Sequence, residues 1–172
     1  RAELQAMRAQ TRRPWALNFF CHAEAPPDDA ADAAWRSALQ PYYDELGADA
    51  STISAASRAP FGGDAATLVE EFRPPVVSFH FGLPAAPLLE RVRRSGAFVI
   101  SSATTVDEAR WLEAHGADAV IAQGLEAGGH RGHFLSDDLS RQLGSFALLP
   151  QVRRAVRVPV VACGGIADAA GV

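Results

Sequence analysis

The sequence has few of the features that mark several common classes of protein. Its 172 residues contain only two cysteines, Cys21 and Cys163, too few for a disulfide framework, and neither has a partner at metal-binding spacing. No apolar run approaches the ~20 residues that a membrane-spanning helix needs. No charged-then-apolar signal segment opens the chain. We therefore expect a cytoplasmic protein with no metal site and no membrane segment.

Signatures of nucleotide and nucleic-acid binding are also missing. There is no Gly-x-x-x-x-Gly-Lys-Ser/Thr segment and no Gly-x-Gly-x-x-Gly after a strand, so neither ATP nor a doubly wound dinucleotide site is supported. The formal net charge is −4. The arginines near residues 91–94 and 153–157 fall at helical spacing, which is typical of a solvated helix face. We predict no nucleic-acid partner.

What the chain does contain is a regular alternation of short apolar runs and helical patterns. Five runs read as strands, at 15–20, 76–81, 97–101, 119–123 and 158–163. The later strands start about 21 residues apart and are continuously apolar, which predicts parallel strands buried on both faces. The long segment 21–75 departs from this rhythm and reads as an excursion between the first two strands.

Both a doubly wound sheet and a barrel fit this alternation, and the strand ends favour the barrel. Polar or glycine residues recur there: Asn18, His80, Ser101, Gln123 and Gly164. In (β/α)8 barrels the site is built at these carboxyl ends. We predict an α/β fold, a piece of a TIM (β/α)8 barrel that spans residues 1–172 and holds about five of the eight parallel strands. The other strands would come from residues outside this sequence, from a second chain, or not at all.

Three helix starts are predicted from capping residues. Asp64 reads as the N-cap of a helix that ends near Phe72. Thr105 and Glu108 have the spacing of a capping box. Ile166 follows a glycine pair and reads as the first residue of another helix.

The stretch after the fourth strand concentrates chemically useful residues. It reads Gln123-Gly124-Leu125-Glu126-Ala127-Gly128-Gly129-His130-Arg131-Gly132-His133. Glycines let the backbone approach a ligand and present bare N–H groups, and histidine titrates near neutral pH. We interpret His130 as a general acid or base with Glu126 as its orienting partner. The alternatives are an ordinary glycine turn and a histidine that bonds only to backbone. A zinc site would need a third ligand, and none is evident.

A second glycine pair, Gly164-Gly165, follows the last predicted strand. At the start of a helix such a pair can hold a phosphate on its backbone amides, and barrels often bind phosphate after strands seven and eight. A glycine turn that serves only tight packing is the alternative. His80, at the end of the second strand, either points into the barrel mouth or packs there.

Together these residues resemble the nitronate monooxygenase (2-nitropropane dioxygenase-like) family. The resemblance rests on the stretch from Gln123 to Gly132, on Gly164-Gly165-Ile166-Ala167-Asp168, and on the strands around Asn18 and His80. It implies an FMN-binding TIM barrel that oxidises alkyl nitronates or nitroalkanes with O2. It also implies roles for single residues: His130 as the catalytic histidine, and as flavin-binding residues Asn18, Gln123, Gly128, Gly129, Gly164 and Gly165. As substrate contacts we predict His80 and His133.

Two other functions stay open on the sequence. One is a flavin- and NAD(P)H-dependent enoyl-thioester reductase, because that relative has a similar Gly-Gly-His loop. The other is a non-catalytic, truncated relative, because the strands that precede and follow this piece in the family help to hold the flavin. The sequence is compatible with a homo-oligomer, and its composition names no particular nitronate.

Overall fold

Five strands alternate with helices in the part of the chain that the computed structural model describes, residues 1–24, 26, 28–52 and 59–172. In chain order the strands and α-helices are α1 (Ala2–Gln10), β1 (Ala16–Phe20), α2 (Asp29–Leu46), α3 (Gly63–Phe72), β2 (Val76–His80), α4 (Ala86–Arg94), β3 (Phe98–Ala103), α5 (Val106–Ala114), β4 (Ala119–Gln123), α6 (Ser145–Ala155) and β5 (Val160–Cys163). Short 3-10 turns lie at Ala50–Thr52, Leu139–Arg141 and Ala169–Gly171. The five predicted strands are confirmed, with small shifts at their ends.

The chain divides into two units. The larger unit comprises Arg1–His22 and Pro60–Val172 and contains the whole sheet, whereas Ala23–Ala59 forms a separate, smaller unit around α2. Within the smaller unit, α2 is capped at its N-terminus by Asp28, whose carboxylate accepts a hydrogen bond from the N–H of Ala31 at 2.9 Å. It ends at Gly47, whose φ of 62° suits glycine at a helix terminus. No helix in the described ranges combines the length and the apolar character that crossing a bilayer requires.

The strands form one parallel sheet in the order β1-β2-β3-β4-β5. One row of the register runs across four strands, from Asn18 through Ser78 and Ile100 to Ala119. A doubly wound sheet reverses its strand order at a switch point, and no reversal occurs among these strands. The topology is therefore that of consecutive strands of a (β/α)8 barrel, as predicted.

Helices α3, α4, α5 and α6 cover one face of the sheet and bury its side chains. The first half of this core packs β2 and β3 against α3 and α4, through Ala66, Val69, Val77, Phe79, Leu89, Val92 and Val99. The second half packs β4 against α5 and α6, through Ala109, Leu112, Val120, Ala122, Leu148 and Val152. Full burial of an aliphatic or aromatic side chain of this size contributes ~1.5–3 kcal/mol. This layer fixes the strand ends that carry the candidate site.

The opposite face of the sheet differs from the prediction. Residues alternate along β2 between buried and half-buried, and on the face without helices Phe98 is 45 % exposed and Val161 49 %. The expectation of burial on both faces therefore holds along β4, where four of the five residues are buried, and is wrong at these exposed positions. Because successive side chains of a strand point to opposite faces, this open face also carries Asn18, His80 and Gln123.

Two predicted helix starts are also wrong. Helix α3 begins at Gly63 after Gly62, so Asp64 lies inside the first turn and does not cap it. After the second glycine pair the chain does not enter an α-helix at Ile166. It makes the 3-10 turn Ala169–Gly171 instead. Asp168 caps this turn, because its carboxylate accepts from the N–H groups of Ala170 and Gly171.

Candidate active site at the carboxyl ends of the strands

The loop after β4, residues 124–133, is the centre of the candidate site, and we call it the glycine–histidine loop. Its first anchor is Gln123, the buried last residue of β4. The side-chain amide donates to the carbonyl oxygen of His130 at 2.8 Å and accepts from the N–H of Gly132 at 2.8 Å. One side chain therefore closes the loop back onto the strand from which it leaves.

Arg131 provides a second anchor within the same loop. Its guanidinium donates to the backbone carbonyls of Gly124 and Gln123 and, at 2.8 Å, to the side-chain oxygen of Gln142. Burial lowers the pKa of Arg131, although the guanidinium stays charged at any physiological pH. The side chain satisfies backbone oxygens at the start of the loop and ties it to the segment before α6.

The third anchor is Glu108, a carboxylate that is only 1 % exposed. The Thr105 hydroxyl accepts from the N–H of Glu108, as the predicted capping box requires, but the Glu108 carboxylate does not return to Thr105. Its Oε2 accepts from the N–H and hydroxyl of Thr104 at 2.7 and 2.8 Å. Its Oε1 accepts from the N–H groups of Phe134 and Leu135 at 2.7 and 3.3 Å. The carboxylate thus joins the start of α5 to the end of the glycine–histidine loop.

His80 lies beneath this loop at the end of β2. Its Nδ1 is 3.0 Å from the hydroxyl of Ser102 on β3, and its Nε2 is 3.1 Å from the carbonyl oxygen of His130. The His80 ring also limits the loop, because a Cβ at Gly132 would lie 2.6 Å from its Cε1. Only glycine fits at position 132 without moving this ring.

The His130 side chain projects from the loop next to aromatic rings. Its ring centroid is 5.2 Å from that of Phe20 and 6.1 Å from that of Phe81. The Phe20 and Phe81 rings meet edge to face at 5.3 Å. Phe81 has a φ of 66°, which is unusual for a bulky residue and a mark of strain that is often kept at functional sites. His130 thus lies exposed beside a small apolar wall.

The ring nitrogens of His130 differ from those of three other histidines. His80 bonds through both nitrogens, and the Nδ1 atoms of His115 and His133 lie 2.7 and 3.0 Å from backbone carbonyls. Among the described residues, no hydrogen bond to the ring of His130 is recorded. Its nitrogens are therefore available to a substrate.

The second glycine pair contacts the glycine–histidine loop directly. Gly164 and Gly165 have φ values of 118° and 76°, and a Cβ at Gly164 would lie 2.7 Å from the backbone nitrogen of Ala127. Both the conformation and the close approach require glycine at position 164. The turns that follow β4 and β5 therefore form one continuous backbone surface.

Glu126 belongs to this surface and not to His130. Its carboxylate accepts from the backbone N–H of Ser145, the first residue of α6, at 2.7 Å. The Ser145 hydroxyl lies 2.9 Å from both this carboxylate and the Gly164 carbonyl. The backbone N–H of Ser145 is the main reason that the pKa of Glu126 is lowered. The expectation that Glu126 orients His130 is thus wrong, since it caps α6 instead.

Comparison of this sequence with known proteins shows the family to which the chain belongs. A sequence model described as nitronate monooxygenase matches residues 1–172. The chain belongs to the nitronate monooxygenase family. The nitronate monooxygenase of Paraburkholderia phytofirmans is 41 % identical over 174 residues, which cover 100 % of this chain and 48 % of that relative. The chain thus spans about half the length of the curated relatives it matches.

Solved structures agree with the family and the fold. A nitroalkane oxidase from Streptomyces ansochromogenes has a TM-score of 0.77 and 36 % identity, over 94 % of this chain and 46 % of that one. FabK from Thermotoga maritima has a TM-score of 0.63 and 27 % identity, over 98 % of this chain and 39 % of that one. The predicted resemblance to nitronate monooxygenases is confirmed.

The residues that the resemblance to nitronate monooxygenases assigned to flavin lie in two places. Gly128 and Gly129 follow Ala127, whose backbone contacts Gly164, and Gln123 at the end of β4 pairs with Cys163 on β5, next to the Gly164–Gly165 turn. Asn18 is exposed on β1, and with ~4.8 Å between neighbouring strands its strand lies roughly 14 Å from β4. His133, assigned to substrate, bonds through Nδ1 to the carbonyl of Ser136. These assignments stay predictions.

Several residues of the candidate site are not predictable from the sequence patterns above. The sequence pattern indicates only a capping box for Glu108, and it carries no signal for Ser102 or Phe81. Arg131 gave one usable signal, a charged side chain among glycines. Among the described residues, no three His, Cys, Asp or Glu side chains are grouped as a metal ion would require.

Proposed function

We propose that this chain forms part of an FMN-dependent nitronate monooxygenase, in which His130 acts on an alkyl nitronate or nitroalkane that is oxidised with O2. The observation that carries the proposal is the exposed His130 ring, whose nitrogens make no recorded hydrogen bond in the described chain and whose backbone is held by Gln123. An imidazole that is held in one place and has its ring nitrogens available suits proton transfer.

The backbone around His130 fits FMN. In the described part of the chain, no hydrogen bond is recorded from the N–H groups of Gly128, Gly129 or Gly165, and all three residues are exposed. Such N–H groups can bind a phosphate or the polar edge of a flavin ring. A Cβ at Gly128 or Gly129 would meet nothing within 4 Å, so this surface is open to a ligand.

The other proposed flavin contacts have different surroundings. Gln123 already uses both ends of its amide inside the loop, so its contribution is to hold the loop and to offer the remaining amide hydrogen. Asn18 is exposed on the face without helices and can offer its amide. Gly164 supports the turn that presents the N–H of Gly165. FMN, when bound, supplies the two-electron redox chemistry and the reaction with O2.

The residues of this chain account for the rest of the proposed reaction. A ring nitrogen of His130 takes the proton from the carbon that bears the nitro group of a neutral nitroalkane. A nitronate is already an anion, so there His130 only needs to donate a hydrogen bond. Phe20 and Phe81 exclude water from one side of the ring and contact the alkyl group. A substrate contact from His133 stays part of the proposal, whereas both ring nitrogens of His80 already have partners within the chain.

A cytoplasmic location is part of the same proposal. Cys21 and Cys163 are both free thiols, as is usual in a reducing compartment. Burial raises the pKa of Cys21 to about 12, so this thiol is not a reactive nucleophile near neutral pH.

The test uses His130→Ala in the full-length protein that the gene encodes. We expect FMN to be retained and turnover of a neutral nitroalkane to fall ~10²-fold or more. The matched control is His115→Ala, since His115 is an exposed histidine stacked on Trp111 at the end of α5, outside the candidate site. Unchanged turnover in His130→Ala would remove His130 from the mechanism.

A second assay separates the two enzyme classes. The wild-type protein is given propionate-3-nitronate with O2 and, separately, crotonyl thioester with NADPH. Oxidation of the nitronate without NADPH supports the proposal. Faster reduction of the thioester would replace it with the reductase, and a protein that retains no flavin would contradict both.

A further inference from the structure

The two hydrogen bonds of His80 specify its tautomer. A carbonyl oxygen can only accept, so the contact with the His130 carbonyl places a proton on Nε2 of His80. In a neutral imidazole Nδ1 is then the acceptor, and the Ser102 hydroxyl 3.0 Å away is a suitable donor. The lone pair on Nδ1 therefore points at Ser102 on β3 and not at a substrate.

We propose that His80 is a positioning residue, which holds the backbone of His130 through its Nε2–H while Ser102 keeps the ring in the required tautomer. The inference rests on the proposed function, because it gives His130 the acid–base role. It also gives His80 a different role from the predicted substrate contact: His130 acts on the substrate, and His80 acts through His130.

The carbonyl of His130 has an unusual set of partners. It accepts hydrogen bonds from Nε2 of His80 on β2 and from the side-chain nitrogen of Gln123 on β4. One backbone oxygen is therefore bound by side chains from two strands. The loop also lies directly on the His80 ring at Gly132. The outer glycines of the loop, Gly128 and Gly129, have no neighbours within 4 Å of their Cβ positions and so do not hold the loop. The contacts at residues 130–132 therefore determine where the His130 ring lies.

The surroundings of His80 keep it neutral. Burial of its ring lowers its pKa, and the positive charges of Arg131 and of His130, when His130 is protonated, lower it further, against the opposing effect of the hydrogen bond to the His130 carbonyl. Both of those charges come from the glycine–histidine loop. The neighbouring groups outside β2 include Phe81, which contacts both His80 and a third histidine, His22, and the uncharged Ser102 on β3. A neutral His80 with its acceptor nitrogen occupied is not a second base.

The kinetic test compares His80→Leu, His80→Gln and Ser78→Ala in the full-length protein. Ser78 lies two residues earlier on the same face of β2, and no side-chain hydrogen bond is recorded for it in the described chain. Each variant is assayed with nitroethane, which needs proton removal, and with preformed ethylnitronate, which does not. FMN affinity is measured alongside by flavin fluorescence.

We expect His80→Leu to lower kcat for nitroethane at least tenfold more than kcat for ethylnitronate, because small displacements of a catalytic group cost up to ~10²-fold. FMN affinity should change less than about twofold. His80→Gln keeps an N–H donor and should recover most of the loss, and Ser78→Ala should resemble the wild type. An equal loss on both substrates, or no loss, would overturn the proposal, since a merely structural residue would not distinguish them.

A spectroscopic measurement keeps the proposal testable if His80→Leu fails to fold. Two-bond ¹⁵N–¹H correlation spectra of the imidazoles should show His80 as the neutral Nε2–H tautomer at pH 7. Ser102→Ala should raise the share of the Nδ1–H tautomer. A wild-type His80 in the Nδ1–H form at pH 7 would refute the assignment.

The assays with His130→Ala distinguish this inference from the proposed function. If His130→Ala keeps wild-type turnover of nitroethane, the acid–base role of His130 fails and the inference fails with it. If His130→Ala loses turnover while His80→Leu does not, only the positioning role of His80 fails.

Discussion

Replacing Glu108 with glutamine should loosen the glycine–histidine loop more than any surface substitution. The carboxylate accepts four hydrogen bonds, and whichever way a glutamine amide turns, its NH2 group faces two of those donors. Losing two charge-assisted bonds costs ~1.5–3 kcal/mol each, and part of this is offset because a neutral amide is cheaper to bury. We expect the free energy of opening the loop to fall by ~2–4 kcal/mol in Glu108→Gln.

Hydrogen exchange measures this cost at the residues concerned. Since ~1.4 kcal/mol corresponds to tenfold, the amides of Phe134 and Leu135 should exchange ~30- to ~700-fold faster in Glu108→Gln than in the wild type. The matched control is Glu90→Gln on α4, an exposed carboxylate 3.9 Å from Arg94, for which less than ~0.5 kcal/mol is expected. Wild-type exchange at Phe134 and Leu135 in Glu108→Gln would refute the idea that this carboxylate holds the loop.

Two further predictions concern His80 and its neighbours. Gly132→Ala should displace the His80 ring and lower nitroalkane turnover at least tenfold, because its Cβ would lie 2.6 Å from Cε1. The control is Gly63→Ala in α3, whose Cβ meets nothing within 4 Å and which should behave as the wild type does; equal thermal stability and turnover in the two variants would contradict this packing. The pKa of His80 is lowered by burial, so the unfolded chain binds more protons near pH 6. Stability should therefore fall as the pH drops below ~6.5, the ordinary histidine value, and urea unfolding between pH 5 and 7.5 should show a shallower dependence in His80→Gln.

The order of the secondary structure could be predicted because it depends on neighbours along the chain. Apolar runs bounded by glycine and proline indicated the strands, and their spacing indicated parallel pairing. Predictions of single caps were less successful. Asp64 and Ile166 had suitable neighbours in sequence, but the start of a helix also depends on how the preceding turn packs. The buried carboxylate of Glu108 shows the same limit, since its loop partners lie 26 and 27 residues further along.

The candidate site could be located from the sequence, but its internal roles could not be assigned. Four glycines and two histidines after a buried strand marked the loop, because only that combination offers bare amides and a titratable ring together. The pairing of His80 with the His130 carbonyl joins residues 50 positions apart, and that of Glu126 with Ser145 joins residues 19 apart. Such pairs depend on the strand register and on the path of the loop, which set distances between side chains that no local pattern encodes. The sequence by itself therefore determined the family, the strands and the loop, whereas the tertiary structure decided which histidine is held and which is left available.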